Sequence, residues 1–388
     1  MNYLILVASV VIQVCLGGVY AWSTFVPDLK AAYGLTTAQT QFIFGVQIAI
    51  FSITMVFSGR ILERQGPRRL LTLSGGLFLA GYWLASASGG SFLLLLLGIG
   101  GMAGVAAGFG YVCPLSTCMK WFPSHKGLVT GIAVAGFGGG AIVLASLAEI
   151  LLKQGTGSLA IFRYVGLAYG IAIVGAGSLM KFPPCAPSVS PAATVPSAQL
   201  ARDAFFWALL VGMGCGTFAG LLTIGNLKPI ALSSGLSPSL AAMGISVFAA
   251  GNAAGRITWG RLVDKMSSKS IRPSLGLLAV ALAVLLPAAS QASLFILVAS
   301  LIGFGFGACF VVYASLVASK YGTHRFGEIY PLIFLGYGAA GISGPSTGGW
   351  LYDLTNSYAS SIGVSIAIIG VGLIVIGRLL RIADPQPR

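Results

Sequence analysis

Long apolar runs alternate with short polar breaks along the whole chain. A helix needs about 20 predominantly apolar residues to cross the hydrocarbon layer. Cut at charges, prolines and glycine clusters, the sequence predicts twelve such helices: 3–29, 38–62, 68–88, 92–119, 127–152, 159–181, 203–232, 238–263, 272–290, 294–319, 327–352 and 357–380. The first opens Met1-Asn2-Tyr3 without a basic stretch and exceeds the apolar core of a signal peptide, so it reads as a span. The fold class expected is an all-α membrane protein.

Composition strengthens that reading. Only 8% of residues are charged and 56% are hydrophobic, against roughly 25% charged in an ordinary soluble domain. The mean hydropathy is +0.93. Such a chain cannot cover a soluble enzyme, a nucleic-acid-binding domain or a disordered scaffold with a charged surface. The net charge of +14 has a topological origin. Seventeen of the 22 Lys and Arg residues fall on one side of the predicted spans, in clusters such as Arg60 to Arg69 and Arg261 to Arg272. Lys30, Lys153, Arg163 and Lys228 fall on the other. The richer side is cytoplasmic by the positive-inside rule, which puts both termini there. Attraction to anionic lipid accounts for the excess, and no nucleic acid or acidic partner is required. A multi-pass protein of the inner or plasma membrane is expected, as a monomer.

The chain also repeats at a spacing of 200–201 residues. Gly59-Arg60-Ile61-Leu62-Glu63-Arg64 recurs as Gly260-Arg261-Leu262-Val263-Asp264-Lys265, and Lys120 and Gly127 recur as Lys320 and Gly327. Tyr33-Gly34-Leu35-Thr36 has its counterpart in Ser234-Gly235-Leu236-Ser237. Six spans per half make the repeat parallel, about an axis along the membrane normal. The expected organisation is an N-terminal half over 1–181, a cytoplasmic linker over 182–202 rich in Pro, Ala and Ser, and a C-terminal half over 203–388.

Two six-span halves with the segment Gly59-Arg60-Ile61-Leu62-Glu63-Arg64-Gln65-Gly66-Pro67-Arg68-Arg69 resemble the major facilitator superfamily, with Glu63 where aspartate is usual. The physical reading is a tight turn in which an acid meets the positive cluster and helix ends. Arg60, Glu63 and Arg64, with Arg261 and Asp264 in the second half, are the candidates for such a conformational latch. Arg68 and Arg69 serve equally well as plain topology signals. The segment Gly110-Tyr111-Val112-Cys113-Pro114-Leu115, running on to Lys120-Trp121-Phe122-Pro123, resembles the oxalate/formate antiporter family and the related proton-linked monocarboxylate transporters. So do Gly251-Asn252-Ala253-Ala254-Gly255-Arg256 and Phe326-Gly327-Glu328-Ile329-Tyr330.

Arg256 lies well inside the eighth predicted span. A cation there costs several kcal/mol and marks a functional site by default. Guanidinium stays charged, and its planar fork fits a carboxylate through two hydrogen bonds. The alternative is snorkelling towards Asp264, eight residues on and about 12 Å along a helix, although Arg261 already occupies that end. Asn252 shares the face of Arg256 by i,i+4 spacing, either at the substrate or as a polar helix–helix contact. The resemblance implies that Arg256 binds the substrate carboxylate. Animal carriers of the group have an aspartate at the Asn252 position, and Asn cannot titrate. An oxalate carrier of the family adds a lysine in the eleventh span, whereas 327–352 holds no Lys or Arg and Tyr337 stands in for it. A dianion facing one arginine would leave a negative charge unbalanced, so a short monocarboxylate is favoured over oxalate. Tyr20, Tyr111, Tyr313 and Tyr337 offer hydroxyls at similar depth, and Phe137, Phe310 and Phe334 an apolar wall.

Other chemistries find no support. His125 and His324 fall in predicted loops, and Cys15, Cys113, Cys118, Cys185, Cys215 and Cys309 form no Cys-x-x-Cys pair, so no metal is expected. No nucleophilic triad, carboxylate dyad or phosphate-binding loop is evident; neither an enzyme nor a cofactor is expected. The reading is a secondary transporter that moves a short monocarboxylate such as L-lactate or pyruvate by alternating access, with a proton on the strength of the resemblance. Asp28 and Glu149 are the candidates for the proton, both equally readable as solvated residues. The alternatives are an oxalate/formate-type exchanger and a non-transporting carboxylate sensor.

Overall fold

The computed structural model describes residues 2–183 and 197–383, and every regular element among them is helical. The first span is built from α1 (Asn2–Gly17), a 3-10 turn (Gly18–Ala21) and α2 (Trp22–Tyr33). Gly34 ends it in the left-handed region at φ 68°, a conformation glycine adopts at little cost. The helical run thus goes past the expected end at 29.

Helix α3 (Thr37–Ser86) carries the second and third spans. It starts from a capping box: Gln39 N donates to Thr36 Oγ1 at 3.1 Å, and Thr36 N donates back to Gln39 Oε1 at 2.9 Å. Its one non-helical residue is Gly66, at φ 78° and ψ 166°, directly before Pro67. Proline lacks an amide hydrogen and disfavours helical backbone at the residue before it, and glycine tolerates the positive φ that results. This corrects the expected tight turn over 59–69. Arg60, Glu63 and Arg64 lie on the last helical turns before a one-residue break.

The fourth span combines α4 (Phe92–Leu95), a π-helical stretch (Leu96–Ala103) and α5 (Gly104–Trp121). Helices α6 (Lys126–Lys153) and α7 (Ser158–Leu179) complete the first six. Of the expected linker, residues 184–196, Cys185 among them, lie outside the described residues. Ser197–Arg202 forms a short helix, α8, where irregular chain was expected; Ala, Gln, Leu and Arg are strong helix formers. The second set of six follows as α9 (Ala204–Ser233), α10 (Pro238–Met266), α11 (Ile271–Ala288), α12 (Ala292–Tyr321), α13 (Phe326–Thr355) and α14 (Tyr358–Ala383). A 3-10 turn, Ser267–Ser270, joins α10 to α11 where the first half has its Gly66 break.

Among the described residues, nine helices are long and apolar enough to cross a membrane. Two of them run 45 and 50 residues, roughly twice the ~20 that one crossing needs. Each holds two crossings, and with α13 the count of crossings is twelve. The chain divides into two compact units, Met1–Pro183 with Phe326–Pro331, and Pro184–Arg325 with Leu332–Arg388. In the first, α3 packs on α5 and α7, and α1 on α6; in the second, α10 packs on α12, and α14 on α9.

Candidate functional site

In the second unit, the sequence candidates converge on one arginine. Arg256 is 0% exposed and Asn252 3%. One helical turn separates them on α10, and Arg256 Nε donates to Asn252 Oδ1 at 2.9 Å. The guanidinium carbon lies 4.2 Å from the ring centroid of Phe310 on α12, a distance at which the ring's negative face attracts a cation. Phe310 is held edge-on by Phe306 at 5.0 Å and by Tyr337 at 5.2 Å, and Phe334 lies at 6.2 Å. Its face is thereby fixed toward the arginine. Full burial removes the snorkelling alternative from the state seen here, since the side chain does not reach solvent.

Gly307 explains how α10 comes so near α12. A Cβ at that position would lie 3.1 Å from both the Arg256 amide nitrogen and Asn252 Oδ1. The missing side chain lets the turn that carries both polar residues seat directly on the neighbouring helix. Tyr313, one turn along α12 from Phe310, instead lays its ring against Gly212 of α9. Its hydroxyl is buried and has no hydrogen-bond partner among the described residues.

The first unit assembles a different group. Tyr20 sits half-buried in the 3-10 turn, edge-on to Phe137 at 5.5 Å. Tyr111 on α5 meets Phe137 on α6 at 5.2 Å and 90°, and Phe51 on α3 packs against both at 5.3 and 5.9 Å. Gln13 Nε2 donates to the Tyr111 carbonyl at 3.2 Å. The candidates are therefore split into an aromatic group in one unit and a cation-centred group in the other.

The charged candidates lie elsewhere. Glu63 is paired with Lys120 at the end of α5, at 2.7 Å. Arg60, Arg64, Arg261 and Asp264 are exposed. Asp28 accepts from the Ser158 amide at 2.8 Å and so holds the first turn of α7. Glu149 forms an i,i+4 pair with Lys153 at 3.2 Å, its side chain 64% exposed. Asp28 thus has a capping contact and Glu149 a surface one. Among the described residues, no three His, Cys, Asp or Glu side chains are grouped to hold a metal ion.

The sequence profile of the Major Facilitator Superfamily matches residues 7–345 and 224–388. The chain belongs to this superfamily. It is 31% identical over 347 residues to the "Uncharacterized MFS-type transporter YhjX" of Escherichia coli (strain K12), covering 88% of this chain and 86% of that one. With the oxalate:formate antiporter of Oxalobacter formigenes it shares 27% identity over 351 residues, 88% and 83% of the two chains. With apicoplast pyruvate carrier 1 of Toxoplasma gondii it shares 26% over 440 residues, 84% and 79% of the two. The solved structure of the proton:xylose symporter XylE matches with a TM-score of 0.75 at 12% identity, over 99% of this chain and 96% of that one. That last likeness is one of fold.

This facilitator is a multi-pass membrane transporter. Four of its residues that meet the candidates escaped sequence reasoning. Phe51 and Phe306 are aromatics within apolar runs, and nothing in those runs marks them. Lys120 stands out as an anchor of the repeat and within the antiporter-like segment, with nothing there to pair it with Glu63. Gln13 did carry a signal, as an uncharged polar residue inside the first apolar stretch.

Proposed function

We propose that this facilitator carries a short monocarboxylate, such as L-lactate or pyruvate, together with a proton, by alternating access. The observation that carries the reading is Arg256, a fully buried arginine whose head is steadied by Asn252 and by the face of Phe310. A guanidinium is a planar, permanently charged fork whose geometry matches both oxygens of one carboxylate. Tyr337 and Phe334 beside Phe310 supply ring surface against a short carbon chain. Helix α13 contains no Lys or Arg, so the eleventh span adds no second cation, which favours one negative charge over two.

The names of two relatives support the substrate class, one an oxalate:formate antiporter and the other a pyruvate carrier. Proton coupling is inferred from the resemblance to proton-linked carriers. The orientation, with both termini in the cytoplasm, is inferred from the distribution of Lys and Arg. The expected latch role of Glu63 belongs to the same proposal.

The deciding experiment is uptake of labelled lactate by proteoliposomes under an imposed pH gradient, competed by pyruvate, formate and oxalate. Acceleration by an acidic exterior, with competition by pyruvate and formate over oxalate, supports the proposal. Anion exchange is the second reading, favoured by the oxalate:formate antiporter relative. Uptake that requires preloaded anion and ignores the pH gradient would select it.

A further inference from the structure

The ends of α5 and α12 carry matching pairs at the repeat spacing, Lys120-Trp121 and Lys320-Tyr321. Each pair holds the chain that flanks the central connection. In the first unit, Lys120 Nζ donates to both carboxylate oxygens of Glu63, at 2.7 and 2.9 Å, and lies 3.7 Å from the ring centroid of Phe182. Trp121 Nε1 donates to the Lys181 carbonyl at 2.8 Å. Helix α7 ends at Leu179, so Lys181 and Phe182 are the residues by which the chain leaves it.

In the second unit, Tyr321 Oη donates to Asp203 Oδ2 at 2.6 Å, and Lys320 Nζ lies 5.5 Å from the ring centroid of Phe205. Asp203 is also the N-cap of α9, accepting from the Phe205 amide at 2.8 Å. The same division of labour thus occurs twice. An aromatic donor takes an oxygen of the flanking chain, and the lysine before it takes a phenylalanine ring.

We propose that these are two clasps that fasten the flanks of the central connection, one in each unit, and that the first is closed only while Glu63 holds Lys120. The side chain of Lys120 is 9% exposed and that of Glu63 18%. A lysine so placed, between a carboxylate and a ring, is steadied by both. Without the carboxylate, its flexible stem lets the ammonium swing out to water, and Phe182 loses its cover. The turn after the second span and the departing chain at 181–182 therefore behave as one mechanical element. The second clasp has an exposed lysine at a longer distance, so it rests on the tyrosine–aspartate hydrogen bond.

Limited trypsin digestion of the full-length protein in detergent tests this, with fragments ending at Lys181 and Arg202 timed by mass spectrometry. Cleavage of a native protein follows the population of locally opened chain. Loss of one hydrogen bond of about 1 kcal/mol raises that population several-fold. Trp121→Phe should speed cleavage after Lys181 by roughly five- to tenfold, with the overall unfolding midpoint unchanged. Glu63→Gln should expose the same bond to a similar degree, although Glu63 touches neither 181 nor 182. Adding Lys120→Met to Glu63→Gln should add little. Glu63→Asp, which keeps the charge, should restore most of the protection. Tyr321→Phe should speed cleavage after Arg202 and leave Lys181 protected. The coupling is overturned if Glu63→Gln leaves Lys181 as resistant as wild type, or if Glu63→Asp is as cleavable as Glu63→Gln. Both clasps are overturned if Trp121→Phe and Tyr321→Phe change neither rate.

Discussion

Tyr20, Tyr111, Phe137 and Phe51 meet in the first unit as rings and hydroxyls with no charge among them. In the second unit, Phe310, Phe334 and Tyr337 form a similar set of rings, but around Arg256. The repeat makes the contrast sharper. Phe137 and Tyr337 occupy matching positions, and in the register of Gly59 and Gly260 the counterpart of Arg256 is Met55. Met55 is fully buried. One helical plan thus accommodates a thioether in one copy and a guanidinium in the other. The apolar copy can be held by burial alone, whereas the charged copy also needs an acceptor for its nitrogens and a polarisable ring beside it. Asn252 supplies an acceptor at Nε and Phe310 the ring.

The largest effect should come from removing the charge. Arg256→Gln should lower carboxylate uptake by about 100-fold, as expected for losing charge-assisted hydrogen bonds worth about 1.5–3 kcal/mol, with the protein still folded in the membrane. Arg256→Lys should restore only part of it, because an ammonium lacks the planar fork. Unchanged uptake by Arg256→Gln would remove the arginine from the mechanism.

Next in size is its hydrogen-bond partner. Asn252→Leu takes away the acceptor at Nε and should raise the KM about tenfold, with normal amounts of protein in the membrane. Equal KM values would mean that the guanidinium is held without Asn252. Phe310→Leu keeps much of the volume and removes the ring face, a contribution of about 1 kcal/mol, so uptake should fall roughly fivefold. The smallest change should come from the first unit. Phe137→Leu is expected to alter uptake by about twofold or less, with its main effect on thermal stability, since only ring packing of about 0.5–1.5 kcal/mol is lost. If Phe137→Leu were to cost more transport than Phe310→Leu, the contrast between the two units would be reversed.

Much of this molecule can be read from one dimension. Span number follows from the lengths of apolar runs, and twelve crossings were expected and are found. Arg256 stood out because a cation within an apolar run is costly wherever the helix packs. The shared face of Asn252 and Arg256 is also legible, since i,i+4 spacing sets it before any tertiary contact is made, but the hydrogen bond between the two is not among the sequence expectations. Legibility failed where partners came from distant segments. The sequence puts Glu63 among arginines, yet its carboxylate takes Lys120, 57 residues away in sequence. The break at Gly66 is shorter than the tight turn expected over 59–69, because Pro67 marks where a helix stops without saying how few residues the bend requires.

What the sequence determined by itself was the count of membrane crossings, the doubled plan and the one residue that could not be left facing lipid. The first and the last are sums over neighbouring residues, which the bilayer enforces on any packing the chain adopts, and the doubling is written in the sequence at a spacing of 200–201 residues. Tertiary structure alone decided that Phe310 would face Arg256, that Tyr313 would turn to Gly212, and that Lys120 would cover Phe182. Those choices depend on how closely two helices approach, and here the approach is set by side chains that are missing. At Gly307 a single Cβ would have crowded Asn252 and the Arg256 amide, and the effect of such an absence appears only when the opposite helix is in place.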